Sequence, residues 1–179
     1  MKKRNKKIIF AFIALALLGA WVYARPSVAP AGIATKAEEY QVEKVVDGDT
    51  IEIKRYGRIE KVRLIGVDTP ETLDPRKSVQ CFGKEASDNT KKLLEGRKVK
   101  IEMDSLVGER DKYNRLLAYV WTDQGKLINM DLISNGFAHE YTYRSQIYKY
   151  QSQFKDAEKL AKESELGFWS PQTCNGKTK

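Results

Sequence analysis

Histidine and cysteine are nearly missing from this 179-residue chain: His139 is the single histidine, and Cys81 and Cys174 are the two cysteines. Neither cysteine lies in a metal-type spacing, so a Cys/His zinc cluster is excluded. A single histidine also argues against histidine-driven acid–base chemistry, and His139 is expected as a surface or helix-cap residue. Surplus charge is missing too, despite a formal net charge of +8. Residues 1–25 hold six of the 32 basic side chains and no acid, so beyond them 26 basic residues face 24 acidic ones. Bulk attraction for a polyanion is therefore weak, and any anionic ligand must be met by individually placed residues. Internal repeats and low-complexity tracts are absent from the body of the chain.

What is present begins with a basic head, Lys2, Lys3, Arg4, Lys6 and Lys7, followed by an uncharged apolar run from Ile8 to about Ala24. That is the pattern of a secretory signal or an uncleaved signal anchor, over residues 1–25. The run is slightly short for a transmembrane helix of about 20 residues. Val22-Tyr23-Ala24 has small residues at cleavage offsets, with Pro26 close behind, and no cysteine follows that could carry a lipid. Residues 26–39 read as a linker rich in Pro, Ala, Ser and Gly. Residues 40–172 have the length of one domain with one core, and residues 173–179 form a tail. The expected location is outside the cell, secreted or anchored on the outer face of its membrane, as a monomer. In that setting Cys81 and Cys174 are either a disulfide closing a loop of roughly ninety residues or two unpaired small residues.

Within the domain, 41–46 reads as a strand, Asp47-Gly48-Asp49 as a tight turn, and 50–54 as its return with period-2 alternation. A third strand is expected over 59–67, a loop over 68–83, and a helix from Lys84 to Gly96. Strands follow at 99–103 and 116–121. Asn129 is expected to cap a short helix ending at Gly136. A last helix from Gln146 to Glu165 would carry an apolar stripe of Ile147, Tyr150, Phe154, Ala157, Leu160 and Ala161, with Gly167 as its stop. Five short strands interrupted by one helix predict an α+β, mainly β architecture. It is a five-stranded Greek-key barrel of the oligonucleotide-binding (OB) class with three helices packed outside.

Three segments concentrate acids and arginines where a core has no use for them. Asp47-Gly48-Asp49-Thr50 sits at the first turn; alone it is ordinary turn chemistry. In 63–71 a strand carries Arg63 on the expected face of Ile65 and Val67, then delivers Asp68, Thr69 and Glu71 at its end. A buried arginine needs an anionic partner, either a carboxylate or a ligand phosphate. In 111–115 one loop gathers Lys112, Tyr113 and Arg115. Together these suit phosphodiester hydrolysis. Aspartate oxygens hold a hard divalent cation, a free carboxylate takes a proton from water, and two arginines grip phosphate oxygens.

The motifs Val-Asp-Gly-Asp-Thr (46–50), Arg-Leu-Ile-Gly-Val-Asp-Thr-Pro-Glu-Thr (63–72), Gly-Lys-Glu-Ala-Ser (83–87) and Asp-Lys-Tyr-Asn-Arg-Leu-Leu-Ala-Tyr (111–119) occur in this order. With Phe168-Trp169, they make the chain resemble the staphylococcal nuclease family over almost all of Tyr40 to Trp169. The resemblance implies the family's five-stranded OB barrel with three helices and Ca²⁺-dependent cleavage of DNA and RNA to 3′-phosphates. It implies Asp49 and Asp68 as metal-binding carboxylates, Thr69 as a backbone-carbonyl ligand, and Asp47 as an acid standing just behind them. Glu71 matches the residue that positions or deprotonates the attacking water. Arg63 and Arg115 match the charge-stabilising pair, and Lys112 and Tyr113 the neighbours of the terminal phosphate. Tyr141-Thr142-Tyr143 resembles a Tyr-x-Tyr element beside the base pocket; the alternative is packing on the last helix. The competing reading is a non-catalytic binding module on the same barrel, which would have no need for Asp49, Arg63, Asp68, Glu71 and Arg115 together.

Overall fold

The computed structural model describes residues 38–72 and 79–178. The expected signal segment and nearly all of the expected linker lie outside these. Among the described residues the strands are β1 (Glu39–Asp47), β2 (Thr50–Arg55), β3 (Arg58–Leu64), β4 (Val67–Asp68), β5 (Lys98–Glu102), β6 (Leu116–Thr122) and β7 (His139–Glu140). The helices are α1 (Gly83–Leu94), α2 (Ile128–Ser134) and α3 (Gln151–Glu163). Among them no helix is long and apolar enough to cross a membrane.

Five strands close a barrel in the order β1-β2-β3-β6-β5. All pairs are antiparallel except β3 with β6, which run parallel. Val42, Ile51, Ile53, Val62, Leu64, Val99, Leu116, Ala118 and Val120 are fully or almost fully buried. Each large side chain among them contributes on the order of 1.5–3 kcal/mol by leaving water. This is the OB architecture expected from the strand pattern.

The third strand stops earlier than alternation suggested. It ends at Leu64, and the chain turns through Gly66, whose φ is +72°. A Cβ there would also sit 2.8 Å from ring atoms of both Tyr148 and Phe154, so the position tolerates only glycine. The break removes Arg63, Ile65 and Val67 from one common face. It frees Val67 and Asp68 to form β4, which pairs with Glu140 and His139 of β7 in a small separate sheet.

Asn129 is not a helix cap. It is fully buried, accepts the Val120 N–H at 2.9 Å and donates to Ile65 C=O at 2.9 Å, so it ties β6 to the turn after β3. The last helix also begins later than expected, at Gln151, after a short 3₁₀ turn over Tyr143–Ser145. Phe154, Ala157 and Ala161 are buried as the stripe required, and Tyr150 partly so, but Ile147 and Leu160 are 67% and 62% exposed. Ile147 precedes the helix, which explains its escape from the stripe.

Cys81 and Cys174 are joined by a disulfide with a Cα–Cα distance of 5.9 Å. With a sequence separation of 93 between its ends, such a link removes on the order of 4 kcal/mol of unfolded-chain entropy. The C-terminal residues fold back onto the domain: Gly176 N–H donates to Phe168 C=O, and Cys81 N–H to Thr178 C=O.

Candidate active site

Barrel register gathers the three chemistry-bearing segments. Thr50 lies opposite Arg63 across β2 and β3, and Arg63 pairs with Leu117 across β3 and β6. Arg115, just before β6, therefore reaches the same end of the barrel as the first hairpin turn. Helix α1 braces that turn through Thr90 Oγ1, which donates to Gly48 C=O at 2.8 Å.

Arg63 sits between the two acids expected to bind metal. Its Nη2 is 3.0 Å from Asp49 Oδ2 and 3.2 Å from Asp68 Oδ1. Its Nη1 donates to the carbonyls of Leu64 and Val67. With 13% of its side chain exposed, it is a nearly buried cation with anionic partners, as burial of an arginine requires. Asp49 is itself buried and accepts bonds from Thr50 Oγ1 and the Thr69 N–H. Arg115 Nη1 donates to the same Thr50 Oγ1 at 3.4 Å, so the two arginines are linked through Thr50 and Asp49.

Asp47 stands behind them. Its carboxylate accepts the Gly48 N–H and the Thr72 hydroxyl, both at 2.8 Å. Burial, above all, pushes the Asp47 carboxyl up to about 6, with Glu71 and Asp49 adding to the effect. Asp68 is also raised, first by partial loss of solvent and then by Asp49 and Glu71, against the pull of Arg63. Glu71 follows on the same strand-to-loop path, with its Oε1 accepting the Thr72 N–H at 3.0 Å.

Among the described residues the carboxylates of Asp47, Asp49, Asp68 and Glu71 influence one another here, and every donor among them is oxygen. Thr69 Oγ1 is buried there with no hydrogen-bond partner. Such a set fits a hard cation of the Ca²⁺ type. Among the described residues no three His, Cys, Asp or Glu side chains converge as a cage. A cation here would rest on two carboxylates, a backbone carbonyl and water.

A cavity of about 510 Å³ opens beside Arg63 and Asp68. Lys112, Tyr113, Arg115, Tyr141, Tyr143 and Tyr148 are among the residues that line it. Tyr113 is 68% exposed, with Lys112 Nζ 4.9 Å and the Arg115 guanidinium 5.4 Å from its ring centre. Tyr141 and Tyr143 are each nearly half exposed, with ring centroids 6.4 Å apart. Both thus present rings to the cavity instead of burying them on α3.

Sequence reasoning passed over several residues that build the site. Asp111 holds Arg115, Gln80 holds the backbone of Glu71, and Tyr148 lines the cavity with its hydroxyl donating to Glu140 at 2.7 Å. Asp111 lay inside a quoted motif and was legible as a partner; Gln80 and Tyr148 carried no local signal. His139 is not a helix cap but a partly exposed residue of β7. Its ring packs 4.5 Å from Phe168 and 4.9 Å from Trp169, and its Nδ1 lies 3.4 Å from Glu158.

A model of the family described as "Staphylococcal nuclease homologue" matches residues 61–171. The chain is 43% identical over 141 residues to a thermonuclease of Staphylococcus hyicus, covering 78% of this chain and 81% of that protein. It is 43% identical over 134 residues to a thermonuclease of Staphylococcus intermedius, covering 75% and 77%. It is 41% identical over 130 residues to endonuclease YncB of Bacillus subtilis (strain 168), covering 72% and 60%.

Proposed function

The chain belongs to the staphylococcal nuclease family, and on that premise we propose that it is a Ca²⁺-dependent nuclease hydrolysing DNA and RNA to 3′-phosphates. The observation that carries the reading is Arg63 held between Asp49 and Asp68, in the lining of the same cavity as Arg115.

Asp49, Asp68 and the backbone carbonyl of Thr69 would hold Ca²⁺, which when bound supplies a hard positive charge that neutralises the scissile phosphate. Asp47, tied to Gly48 and Thr72, fixes the turn behind these ligands. Glu71 serves as the general base. It takes a proton from water as the water oxygen bonds to phosphorus. The bond from phosphorus to the 5′-oxygen breaks and the departing oxygen takes a proton from solvent water, leaving a 3′-phosphate on one fragment and a 5′-hydroxyl on the other. Negative charge grows on the equatorial oxygens during this step, and Arg63 and Arg115 bind it in two-pronged fashion.

Lys112 and Tyr113 flank the phosphate end of the cavity. Tyr141 and Tyr143 offer ring faces on which a base stacks, worth about 1–3 kcal/mol per base with little sequence preference. The basic head and apolar run of the N-terminal segment support export, as does a disulfide, which persists in oxidising compartments. Any membrane contact is assigned to that segment alone.

The test is hydrolysis of single-stranded DNA by the purified protein with Ca²⁺ and with excess chelator. Ca²⁺-requiring cleavage that leaves 3′-phosphate ends is expected. No cleavage by folded protein that still binds DNA would instead make the chain a non-catalytic binding module.

A further inference from the structure

The base assigned above lies on a loop, and a general base works only if its backbone is held. Glu71 is held at both of its backbone groups by one residue nine positions on. Its N–H donates to Gln80 Oε1 at 2.8 Å, and its C=O accepts the Gln80 N–H at 2.9 Å. The two bonds are mutual and close a small ring, fixing the peptide planes on either side of the Glu71 Cα. Gln80 is itself fixed to helix α1, because its C=O accepts the Gly83 N–H at 2.9 Å. Gly83 lets this contact happen: a Cβ there would lie 3.0 Å from Glu71 O and 2.9 Å from Thr72 Cγ2.

The residue after Gln80 is Cys81, and its disulfide to Cys174 adds a second attachment from behind. Cys174 is buried, and Cys81 N–H also donates to Thr178 C=O at 3.3 Å. The C-terminal segment therefore fastens the residue that fastens the base. Among the described residues, Gln80, Cys81 and Cys174 are not part of the cavity lining, and the Gln80 side-chain oxygen and backbone N–H are both spent on the Glu71 backbone.

We propose that Gln80 is a positioning residue for Glu71, anchored by the Cys81–Cys174 bond. The inference rests on the reading of Glu71 as the base. A base displaced by about 1 Å costs on the order of 100-fold in rate, whereas substrate binding draws on other residues. Loss of the clamp therefore lowers kcat and leaves KM nearly unchanged.

The experiment compares full-chain wild type with Gln80→Met, Gln80→Glu, Cys81→Ser/Cys174→Ser, the combination of Gln80→Met with the double serine variant, and Glu71→Gln. Each is assayed on single-stranded DNA with Ca²⁺ for kcat and KM. Amide exchange at Glu71 is read without metal, and near-UV circular dichroism checks folding. Gln80→Met, which keeps shape and loses the acceptor, is expected to lower kcat about 10- to 100-fold with KM within about twofold. It should also speed Glu71 amide exchange. Gln80→Glu, which keeps an acceptor oxygen, should recover most of both. The double serine variant should lower kcat in the same direction, with Gln80→Met adding less on top of it than it costs alone.

Wild-type kcat in folded Gln80→Met, or Gln80→Glu as slow as Gln80→Met, overturns the positioning role. Fully additive losses overturn the anchoring role of the disulfide. Glu71→Gln at wild-type rate fails differently: it removes Glu71 as the base, whatever Gln80 does.

Discussion

Arg115 and Asp111 meet through three bonds: Nε–H to Oδ2 at 2.7 Å, Nη2 to Oδ2 at 2.6 Å, and the Arg115 backbone N–H to Oδ1 at 2.9 Å. Tyr113 N–H donates to the same Oδ1 at 2.9 Å, so one carboxylate both shapes the loop and aims the guanidinium. Burial works to raise the Asp111 carboxyl, but the bonds from Arg115 and Tyr113 outweigh it and hold it below the usual range.

Asp111→Ala is therefore expected to lower kcat/KM about 10- to 100-fold, the equivalent of one charged hydrogen bond of about 1.5–3 kcal/mol. Steady-state kinetics on single-stranded DNA measure it. A wild-type value would mean that Arg115 finds its aim without Asp111.

Arg63 has four acceptors around one guanidinium. Lysine keeps the charge but loses the planar fork, so Arg63→Lys is expected to cost about 100-fold or more in kcat. A rate near wild type, with lowered melting temperature, would assign Arg63 to packing alone.

Gly48 lies under Thr69. An added Cβ would come within 2.7 Å of Thr69 Oγ1 and 2.8 Å of its Cγ2. Gly48→Ala should push Thr69 and its carbonyl away from Asp49 and destabilise the fold by about 1–3 kcal/mol. The Ca²⁺ concentration needed for half-maximal activity should rise about tenfold or more, as one ligand of a small set is displaced. An unchanged Ca²⁺ titration would separate Thr69 from the cation.

Glu158 provides a pH prediction that reads stability instead of activity. Burial acts to raise its carboxyl, but His139, Lys162 and the Glu140 N–H outweigh that and bring it down to about 2. A carboxylate lowered on folding stabilises the protein above its ordinary range near 4.5, and that stability is lost as pH falls toward 2. Allowing for solvent screening at this rim position, about 2 kcal/mol is at stake. Urea unfolding of wild type and Glu158→Gln should show a gap at pH 7 that closes between about pH 5 and pH 2. A gap independent of pH would remove the charge from the explanation.

The sequence by itself determined the barrel and singled out the acids and arginines proposed to react. Strand alternation and turn residues act between neighbours in the chain, so 50–54 and 116–121 were legible as strands. Acids and arginines that no core needs stood out in the same way. Tertiary structure decided what distant neighbours impose. Alternation carried the third strand to Val67, but the rings of Tyr148 and Phe154 against Gly66 end it at Leu64. Asn129 looked like a cap because caps are local, yet its partners are backbone groups of two other segments. Ile147 fitted a helical stripe that the chain does not enter until Gln151. The bonds from Asp111 to Arg115 span four residues and were nearly in reach of sequence reasoning. Those between Arg63 and Asp49, and between Cys81 and Cys174, join segments that only the closed barrel and its folded-back terminus bring together.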